Sequence, residues 1–432
     1  METTAIKTTF PKYAAYKDSG APWIGKIPIH WQTEKGKWLF IKNERPILNE
    51  DEIVTCFRDG EVTLRRNRRT DGFTNAVKEH GYQGIRKGDL VIHGMDAFAG
   101  SIGVSDSDGK STPVYLACTE RFPKTVNQYF FAYFLRNLAL NGVILSLAKG
   151  IRERSTDFRF GDFGELILAY PPLPEQTAIA AFLDDKTAKI DRVIAQKEQL
   201  IVLLKERKQI IIQNAVTKGL DPTVKMKDSE VEWITEVPEH WNMKRLKYVL
   251  KILKRIIGYE GPDVLSITQK GIKVKDITSG EGQLAMNYAK YQTISKGEFA
   301  MNHMDLLTGY VDISKFDGVI SPDYRVFKPF LKSITDEYLL KLFQVGYKGR
   351  IFYRYGQGVS QLGRWRFPAD NFHNFSIPIP PIEEQKVIVQ HIKTQSSKIE
   401  LSIGLQQKQI TKLKEYKATL IDSAVTGKIK VG

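Results

Sequence analysis

The chain has 432 residues with 42% hydrophobic and 26% charged side chains, a composition typical of a folded protein with two or three domains. No apolar run approaches the roughly 18 residues that cross a bilayer. The N-terminal residues lack the apolar core of a secretory signal, so we expect a cytoplasmic protein without a membrane partner. Cys56 and Cys118 are the only cysteines, which excludes a disulfide framework, and the scattered histidines give no metal-ligand spacing. The net charge of +15 favours a polyanionic partner, nucleic acid before a membrane surface, with a basic protein that binds no anion as the open alternative.

The sequence repeats itself once. Residues 18–31 (DSGAPWIGKIPIHW) return as residues 228–241 (DSEVEWITEVPEHW), with seven of 14 positions identical. From there the offset is 209: ten of 29 positions match between 87–115 and 296–324, and 17 of 47 match between 171–217 and 380–426. This period exceeds the roughly 20 to 50 residues of a solenoid unit, so it indicates a duplicated domain with its following segment.

Each half begins with a motif in which two tryptophans flank a Pro-x-His step. Trp23, Trp31, Trp233 and Trp241 repeat with the framework, so we expect core residues rather than platforms for stacked bases. A strand-rich region with Gly and Asp turns follows, and each region contains a short predicted helix, over residues 127–140 and 335–345. This pattern predicts an α+β domain in each half.

A long helix closes each half and is predicted to start near Glu175 and Glu384, just after a Pro-Pro pair. Its apolar residues recur with a period of 3.5, which is the a/d stripe of a coiled coil. The predicted coiled-coil interface consists of Ile190, Ile194, Ile201, Leu204 and Ile211 in the first helix and Ile399, Ile403, Ile410, Leu413 and Leu420 in the second.

Lysines that interrupt the two stripes indicate the direction of pairing. A parallel, in-register pair would bury Lys208 against Lys417, a like-charge contact that an antiparallel pair avoids. We therefore predict an antiparallel coiled coil with a globular domain at each end. The alternative is that each helix packs on its own domain as an ordinary amphipathic helix.

Three motifs resemble parts of catalytic sites without completing one. Residues 109–111 (GKS) lack the upstream glycine of a phosphate loop, and Glu206-x-Lys208 has a nuclease spacing but lies in the coiled coil. The Pro-Pro pairs at 171–172 and 380–381 lack the polar and aromatic neighbours of an amino-methyltransferase motif. We expect a non-catalytic chain without a cofactor or metal of its own.

Basic and amide-rich clusters in the globular regions are the candidate DNA contacts, because arginine suits bidentate contact with phosphate and guanine. The first half offers Arg65, Arg66, Arg68, Arg69, Lys149, Arg152 and Arg154, and the second half offers Lys270, Lys273, Gln357, Ser360, Gln361 and Arg364. These residues diverge while the framework repeats, as expected of two domains that recognise different sequences. A solvated surface is the alternative for the arginine cluster.

Two histidines complete the candidate DNA contacts. His93 and His303 lie beside a repeated Met-Asp pair, and each either faces DNA or is buried in a structural role.

The chain resembles the specificity subunit of type I restriction-modification systems. The resemblance is carried by the 228–241 motif, the helix starts at 171–176 (PPLPEQ) and 380–385 (PPIEEQ), and the helix ends at 215–219 (AVTKG) and 424–428 (AVTGK). It implies two target-recognition domains, each recognising half of a bipartite double-stranded DNA sequence, held apart by an antiparallel helix pair. It also implies that methyltransferase (modification) subunits carrying S-adenosylmethionine bind the helices, and that restriction (motor) subunits join them for cleavage.

These interpretations predict five segments along the chain. They are an N-terminal tail (1–17), a first target-recognition domain (18–170), a long helix (171–219), a second target-recognition domain (220–379), and a second long helix with a tail (380–432). A self-contained DNA enzyme and a stand-alone double-stranded DNA-binding regulator remain the alternative functions.

Overall fold

The computed structural model describes residues 10–68, 71, 80–147, 157–277, 285, 287–358 and 365–431. The chain groups into two compact units, the first comprising residues 1–197 and 408–432 and the second residues 198–407. Each unit therefore contains one globular region and part of each long helix.

Short strands dominate both globular regions. Those of the first unit are Tyr16–Asp18, Lys26–Pro28, Gln32–Lys35, Phe40–Lys42, Val54–Cys56, Val62–Leu64, Gln83–Ile85, Leu90–His93, Ile102–Val104, Gly109–Ser111, Tyr115–Glu120 and Ile167–Tyr170. Those of the second unit are Met226–Val231, Ile234–Pro238, Asn242–Arg245, Leu250–Leu253, Val264–Thr268, Gly271–Val274, Gln292–Ile294, Phe299–Met301, Val311–Ile313, Gly318–Ile320, Arg325–Pro329, Gln357–Gly358, Trp365–Arg366 and Ser376–Ile379.

The three α-helices that follow the central sheet occur in the same order in both units. The first unit has α-helices Gly36–Leu39, Gln128–Leu140, Val143–Leu147 and Phe160–Glu165 with 3₁₀ turns Arg65–Asn67 and Ala97–Ala99, and the second has Asp336–Lys348, Ile351–Arg354 and Ala369–Asn374 with the 3₁₀ turn Leu246–Tyr248. The long helices are Leu173–Lys218 and Ile382–Val425. These elements confirm the predicted mixture of helices and strands.

A four-stranded antiparallel sheet forms the centre of each unit, and its strand order is duplicated. In the first unit the order is Phe40–Lys42, Tyr115–Glu120, Leu90–His93, Ile102–Val104. In the second it is Leu250–Leu253, Arg325–Pro329, Phe299–Met301, Val311–Ile313. The sequence repeat is therefore a repeat of topology.

The short helix that follows each sheet begins one residue later than predicted, because the predicted first residue is the cap. The Asn127 side chain accepts hydrogen bonds from the backbone N–H groups of Tyr129 and Phe130, and the Thr335 hydroxyl accepts one from Tyr338 N. The second helix also continues to Lys348, three residues beyond the predicted end.

The two long helices begin directly after Pro172 and Pro381, two residues earlier than predicted. The first is followed by Gly219 at φ +75°, a left-handed conformation that suits glycine after a helix end. At 1.5 Å per residue the 46-residue first helix is about 69 Å long.

The long helices run antiparallel where they meet within each unit. In the first unit Lys417 Nζ donates to Asp191 Oδ2 at 2.6 Å, and Lys197 Nζ donates to Gln409 Oε1 at 2.5 Å. In the second unit Lys208 Nζ donates to Glu400 Oε1 at 2.5 Å. Because the numbers rise along one helix as they fall along the other, the predicted antiparallel direction is confirmed, and each seam lysine meets an oxygen rather than another lysine.

Burial along the helices follows the heptad pattern. Among the predicted interface residues, Ile190, Ile194, Ile201, Ile399, Ile410 and Leu420 are buried, and Leu204, Ile211, Ile403 and Leu413 are half-buried. At the end of the first helix the most buried isoleucine is Ile212, one position beyond the predicted Ile211. Ile212 belongs to the core of the second unit, so the apolar face turns there from the partner helix toward the globular region.

The repeated tryptophans anchor the cores. Trp31 and Trp241 are fully buried, while Trp23 and Trp233 are half-buried and donate their indole N–H groups to the carbonyls of Ile167 and Ser376. This confirms the prediction of core residues. None of the helices in the described part of the chain is long and apolar enough to cross a membrane.

Candidate nucleic-acid interface

A glutamate near the start of each long helix joins the helix to the tryptophan motif of the same unit. Glu175 Oε1 accepts a hydrogen bond from Trp31 Nε1 at 3.1 Å, and Glu175 Oε2 lies 2.8 Å from His30 Nε2. Glu384 repeats both contacts with Trp241, at 3.0 Å, and His240, at 2.8 Å. The repeated motif therefore fixes the start of a long helix to its globular region, which positions the surface of that region relative to the helix.

The next residue connects each long helix to the short helix on the central sheet. Gln385 is fully buried, and its side chain accepts from Thr335 N at 2.8 Å and donates to the carbonyls of Ser333 and Pro380, each at 2.8 Å. Gln176 is also fully buried and makes the equivalent set with Asn127 N, at 2.7 Å, and with two carbonyls. A buried amide with both ends satisfied holds this junction in one geometry.

A cavity of about 800 Å³ in the first unit brings together part of the predicted site. The strand Val54–Cys56 and the residues after it, the 3₁₀ turn Arg65–Asn67 and the residue after it, and His93 with the segment after it contribute to the lining, together with Thr112 and Tyr115. Its lining includes three predicted contacts, Arg65, Arg68 and His93. The structure thus unites two features that lie about 25 residues apart in the sequence.

Carboxylates hold two of the arginines that line this cavity, and another holds the neighbouring Arg66. Arg68 Nη2 lies 2.5 Å from Asp59 Oδ2, Arg58 Nη2 lies 2.8 Å from Asp96 Oδ1, and Arg66 pairs with Glu52. Arg68 and Arg66 keep 38% and 61% of their side chains exposed. Exposed pairs of this kind contribute little to stability, so a phosphate can compete for the guanidinium groups at small cost.

His93 is set into the cavity wall as a neutral side chain. Its ring lies 4.5 Å from the Tyr115 ring, and its Nδ1 accepts a hydrogen bond from Asp96 N at 3.1 Å. Burial lowers the pKa of His93 from its ordinary value, and Asp96 only partly opposes this effect. With Nδ1 accepting, the ring proton is carried by Nε2, which makes His93 a hydrogen-bond donor at neutral pH.

The described predicted contacts of the second unit lie at three different sheets. Lys270 and Lys273 are exposed on the hairpin formed by Val264–Thr268 and Gly271–Val274. His303 follows a strand of the central sheet, and its carbonyl accepts a hydrogen bond from Phe367 N at 2.8 Å. Gln357 is exposed, and its strand pairs with Trp365–Arg366 opposite Arg366. The segment 365–367 therefore contacts both Gln357 and His303.

His303 lies in a cationic environment. Burial and then Arg325 and Arg366 lower the pKa of His303 to about 4, so it is neutral at pH 7. Arg325 is 6% exposed, lies 4.4 Å from the Phe372 ring centroid, and donates to Phe367 O at 3.0 Å. Burial lowers the pKa of Arg325 to about 10, which leaves it charged at pH 7. Within the described residues, Arg325 Nη1 and His303 Nδ1 have no hydrogen-bond partner.

The remaining predicted contacts are Arg69, Lys149, Arg152, Arg154, Ser360, Gln361 and Arg364, and they lie outside the described residues. Their role as DNA contacts stays a prediction, as it does for the contacts described above.

Sequence reasoning missed the residues that complete each site. In the first unit these are the aromatic rings of Phe57 and Tyr115 and the carboxylates of Asp59 and Asp96. In the second unit it is Arg325, a single buried arginine at the start of the strand Arg325–Pro329, which no cluster in the sequence marked. Within the described residues no group of three or more His, Cys, Asp or Glu side chains could hold a metal ion.

Comparison with known proteins agrees with this architecture. Residues 238–412 match the family model of the type I restriction modification DNA specificity domain. The chain is 25% identical to the putative type I restriction enzyme MjaX specificity subunit of Methanocaldococcus jannaschii, over 94% of this chain and 96% of that protein. It is 24% identical to the type I restriction enzyme EcoBI specificity subunit of Escherichia coli, over 53% of this chain and 51% of that protein.

Two solved structures share the fold. The crystal structure of the HsdS subunit from Thermoanaerobacter tengcongensis covers 93% of this chain with a TM-score of 0.53 and 14% identity. A chain from a study of complex assembly and conformational transition of the type I R-M system also covers 93%, with a TM-score of 0.65 and 13% identity. These matches confirm the resemblance to the specificity subunits of type I restriction-modification systems that the sequence motifs indicated.

Proposed function

We propose that this chain recognises a bipartite double-stranded DNA target, one half through each globular region, and directs methyltransferase and restriction subunits to that target. The duplicated framework carries the proposal. The glutamate–tryptophan contacts and the central sheet occur twice with the same partners, whereas the surrounding polar residues differ between the units. Two equal scaffolds with unlike polar surfaces suit two unlike half-sites.

Mapping of modified adenines tests this proposal. The chain is co-expressed with the modification subunits in cells without other adenine methylation, and the methylome is sequenced. We expect a gapped motif with one modified adenine in each half. Replacing residues 220–379 by the corresponding region of a relative should change one half of the motif and leave the other intact. A continuous motif, or a change in both halves, would contradict the proposal.

The catalytic groups belong to the partner subunits in this proposal, and S-adenosylmethionine binds there. Isothermal titration of the isolated chain with S-adenosylmethionine should give no heat of binding, whereas the complex with modification subunits should bind it. Binding by the isolated chain would favour a self-contained enzyme. Failure to copurify with modification subunits would favour a stand-alone DNA-binding regulator.

The arginine cluster supplies a test of the DNA surface itself. Changing Arg66 and Arg68 to Ala should weaken DNA binding and lower the slope of log K against log salt by about one for each phosphate that is no longer neutralised. Fluorescence anisotropy at several salt concentrations measures both quantities. The control is Lys225→Ala, which removes another exposed cation, paired with Glu239 at 2.9 Å. A slope equal to that of the parent would assign Arg66 and Arg68 to the solvated surface.

A further inference from the structure

The cavity of the first unit has a volume that contact with a base edge in a DNA groove does not require. Its volume of about 800 Å³ lies within the roughly 300 to 1,000 Å³ of pockets that enclose a small molecule. A side chain that reads a base pair in the major groove projects outward from the protein surface, whereas here the candidate side chains line a concave space. The geometry therefore fits a ligand that enters the protein.

The lining combines the groups that a single nucleotide requires. Aromatic rings of Phe57, Tyr115 and His93 line the cavity; the His93 and Tyr115 rings lie 4.5 Å apart, and the Arg68 guanidinium lies 4.2 Å from the Phe57 ring centroid. Aromatic rings and guanidinium groups are the side chains on which bases stack. Arg58 and Arg68 stand at the edge, where each is held by a carboxylate that a phosphate can replace.

Polar groups that can distinguish bases also line the cavity. The Ser101 side chain lines the wall, is 1% exposed as a residue, and has no hydrogen-bond partner among the described residues. A buried hydroxyl without a partner costs about 1 to 3 kcal/mol, and an occupant that meets it after a change of its χ1 rotamer recovers that cost. Thr55 and Thr112 add two further hydroxyl groups to the lining.

The second unit has a different residue at the position equivalent to Ser101. Residues 87–115 and 296–324 align without a gap, and Tyr310 stands where the first unit has Ser101. The frame around the two positions is the same, since Lys87 N and Lys296 N donate to the equivalent Asp108 and Asp317. A tyrosine is therefore compatible with this fold at the position of Ser101, where Tyr310 lies beside Tyr347, and it is a much larger side chain than the serine that lines the cavity.

We propose that the cavity of the first unit binds one nucleotide of the first half-site, turned out of the DNA stack, with its base against the aromatic rings and its phosphate at the arginines. This inference rests on the proposed function of DNA recognition. The ligand chemistry is that of a nucleotide, which a free mononucleotide shares.

Unpairing provides the test. Turning a nucleotide out costs a few kcal/mol for a paired base and less for an unpaired one. The full chain in complex with its modification subunits is titrated with duplexes of the mapped target, each carrying one abasic site in the strand opposite a scanned position. We expect one of these duplexes to bind roughly tenfold or more tightly than the intact duplex. Its abasic site lies opposite one position of the first half-site other than the modified adenine. Contact with base edges alone would give no such position.

Two variants assign the effect to the cavity. Ser101→Tyr should abolish the gain in affinity that the abasic site causes in the first half-site and leave affinities for changes in the second half-site as in the parent. Ser101→Ala removes the hydroxyl without filling the space and should retain most of that gain. Hydrogen exchange of Gln128–Leu140 checks that both variants fold. Equal tightening in the parent and in folded Ser101→Tyr would overturn the proposal.

Two further outcomes keep this inference separate from the proposed function. Tight binding of deoxynucleoside monophosphates without any tightening position in DNA would indicate a site for free nucleotides and would overturn the proposal. If the parent complex fails to bind the mapped target at all, the proposed function itself is wrong. If it binds the target but no position tightens, only the cavity proposal fails.

Discussion

Lengthening both long helices by four residues is expected to lengthen the spacer of the DNA target by one or two base pairs while both half-sites stay the same. Four helical residues add about 6 Å and turn the helix by about 40° beyond a full turn. One base pair adds about 3.4 Å and about 35°. The added length corresponds to nearly two base pairs and the added rotation to one, so the new spacer lies between these limits.

The place of the insertion follows from the pairing within each unit. Lys197 faces Gln409 in the first unit and Lys208 faces Glu400 in the second, so the four residues are added after Gln199 in one helix and after Gln407 in the other. An insertion of four residues is a stutter, which a coiled coil accommodates by local unwinding. Both sets of interhelical contacts are then retained on either side of the insertion.

Methylome sequencing of the variant, co-expressed with the modification subunits, measures the new spacer. The matched control replaces residues 200–203 by the inserted sequence without a change of length, and it should modify the original target. An insertion in the first helix alone moves its side chains by one turn against the second helix and should abolish modification. An unchanged spacer with retained activity in the double insertion would show that the helices do not set the distance between half-sites.

The long helices and their direction were predictable because the relevant interactions are periodic. An a/d stripe recurs along the chain, and the penalty of Lys208 against Lys417 depends only on their equivalent heptad positions. The observed partners, Glu400 and Asp191, could not be named in the same way. Which acid faces a lysine depends on the register of two segments that are about 200 residues apart in sequence.

The repeated motifs could be recognised in the sequence, but the contacts that their residues make could not. Sequence alone showed that Glu175 and Glu384 repeat together with the tryptophans, but the hydrogen bonds between them connect residues more than 140 positions apart. Repetition shows that a residue belongs to the framework, and only the packing shows which partner it serves.

The candidate site was predictable only in part. Clustering along the chain pointed to Arg65 to Arg69, and the repeated Met-Asp pair pointed to His93. Phe57 and Tyr115, which complete the lining from separate parts of the chain, carried no such signal. Arg325 was overlooked because it does not belong to a cluster of basic residues like the one at residues 65–69.

Changing Gln385 to Ala is expected to lower the free energy of unfolding of the second unit by about 3 to 5 kcal/mol. The substitution leaves the N–H of Thr335 and the carbonyls of Ser333 and Pro380 without their partner. Each loss lies at the lower end of about 1 to 3 kcal/mol, because two of the three hydrogen bonds are only part-buried. Thr335 is also the cap of Asp336–Lys348, so the loss acts on the helix that covers the central sheet.

Native-state hydrogen exchange suits this measurement, because a chain with two compact units need not unfold in one step. We expect Gln385→Ala to reduce protection in Asp336–Lys348, and the equivalent Gln176→Ala to reduce protection in Gln128–Leu140, each more strongly than in the other unit. The control is Gln390→Ala on the same long helix, where the side chain is exposed and the change should stay within about 0.5 kcal/mol. A loss below about 1 kcal/mol for Gln385→Ala would mean that water replaces the glutamine. The repeated Glu-Gln pair would then serve the tryptophan contact through its glutamate alone.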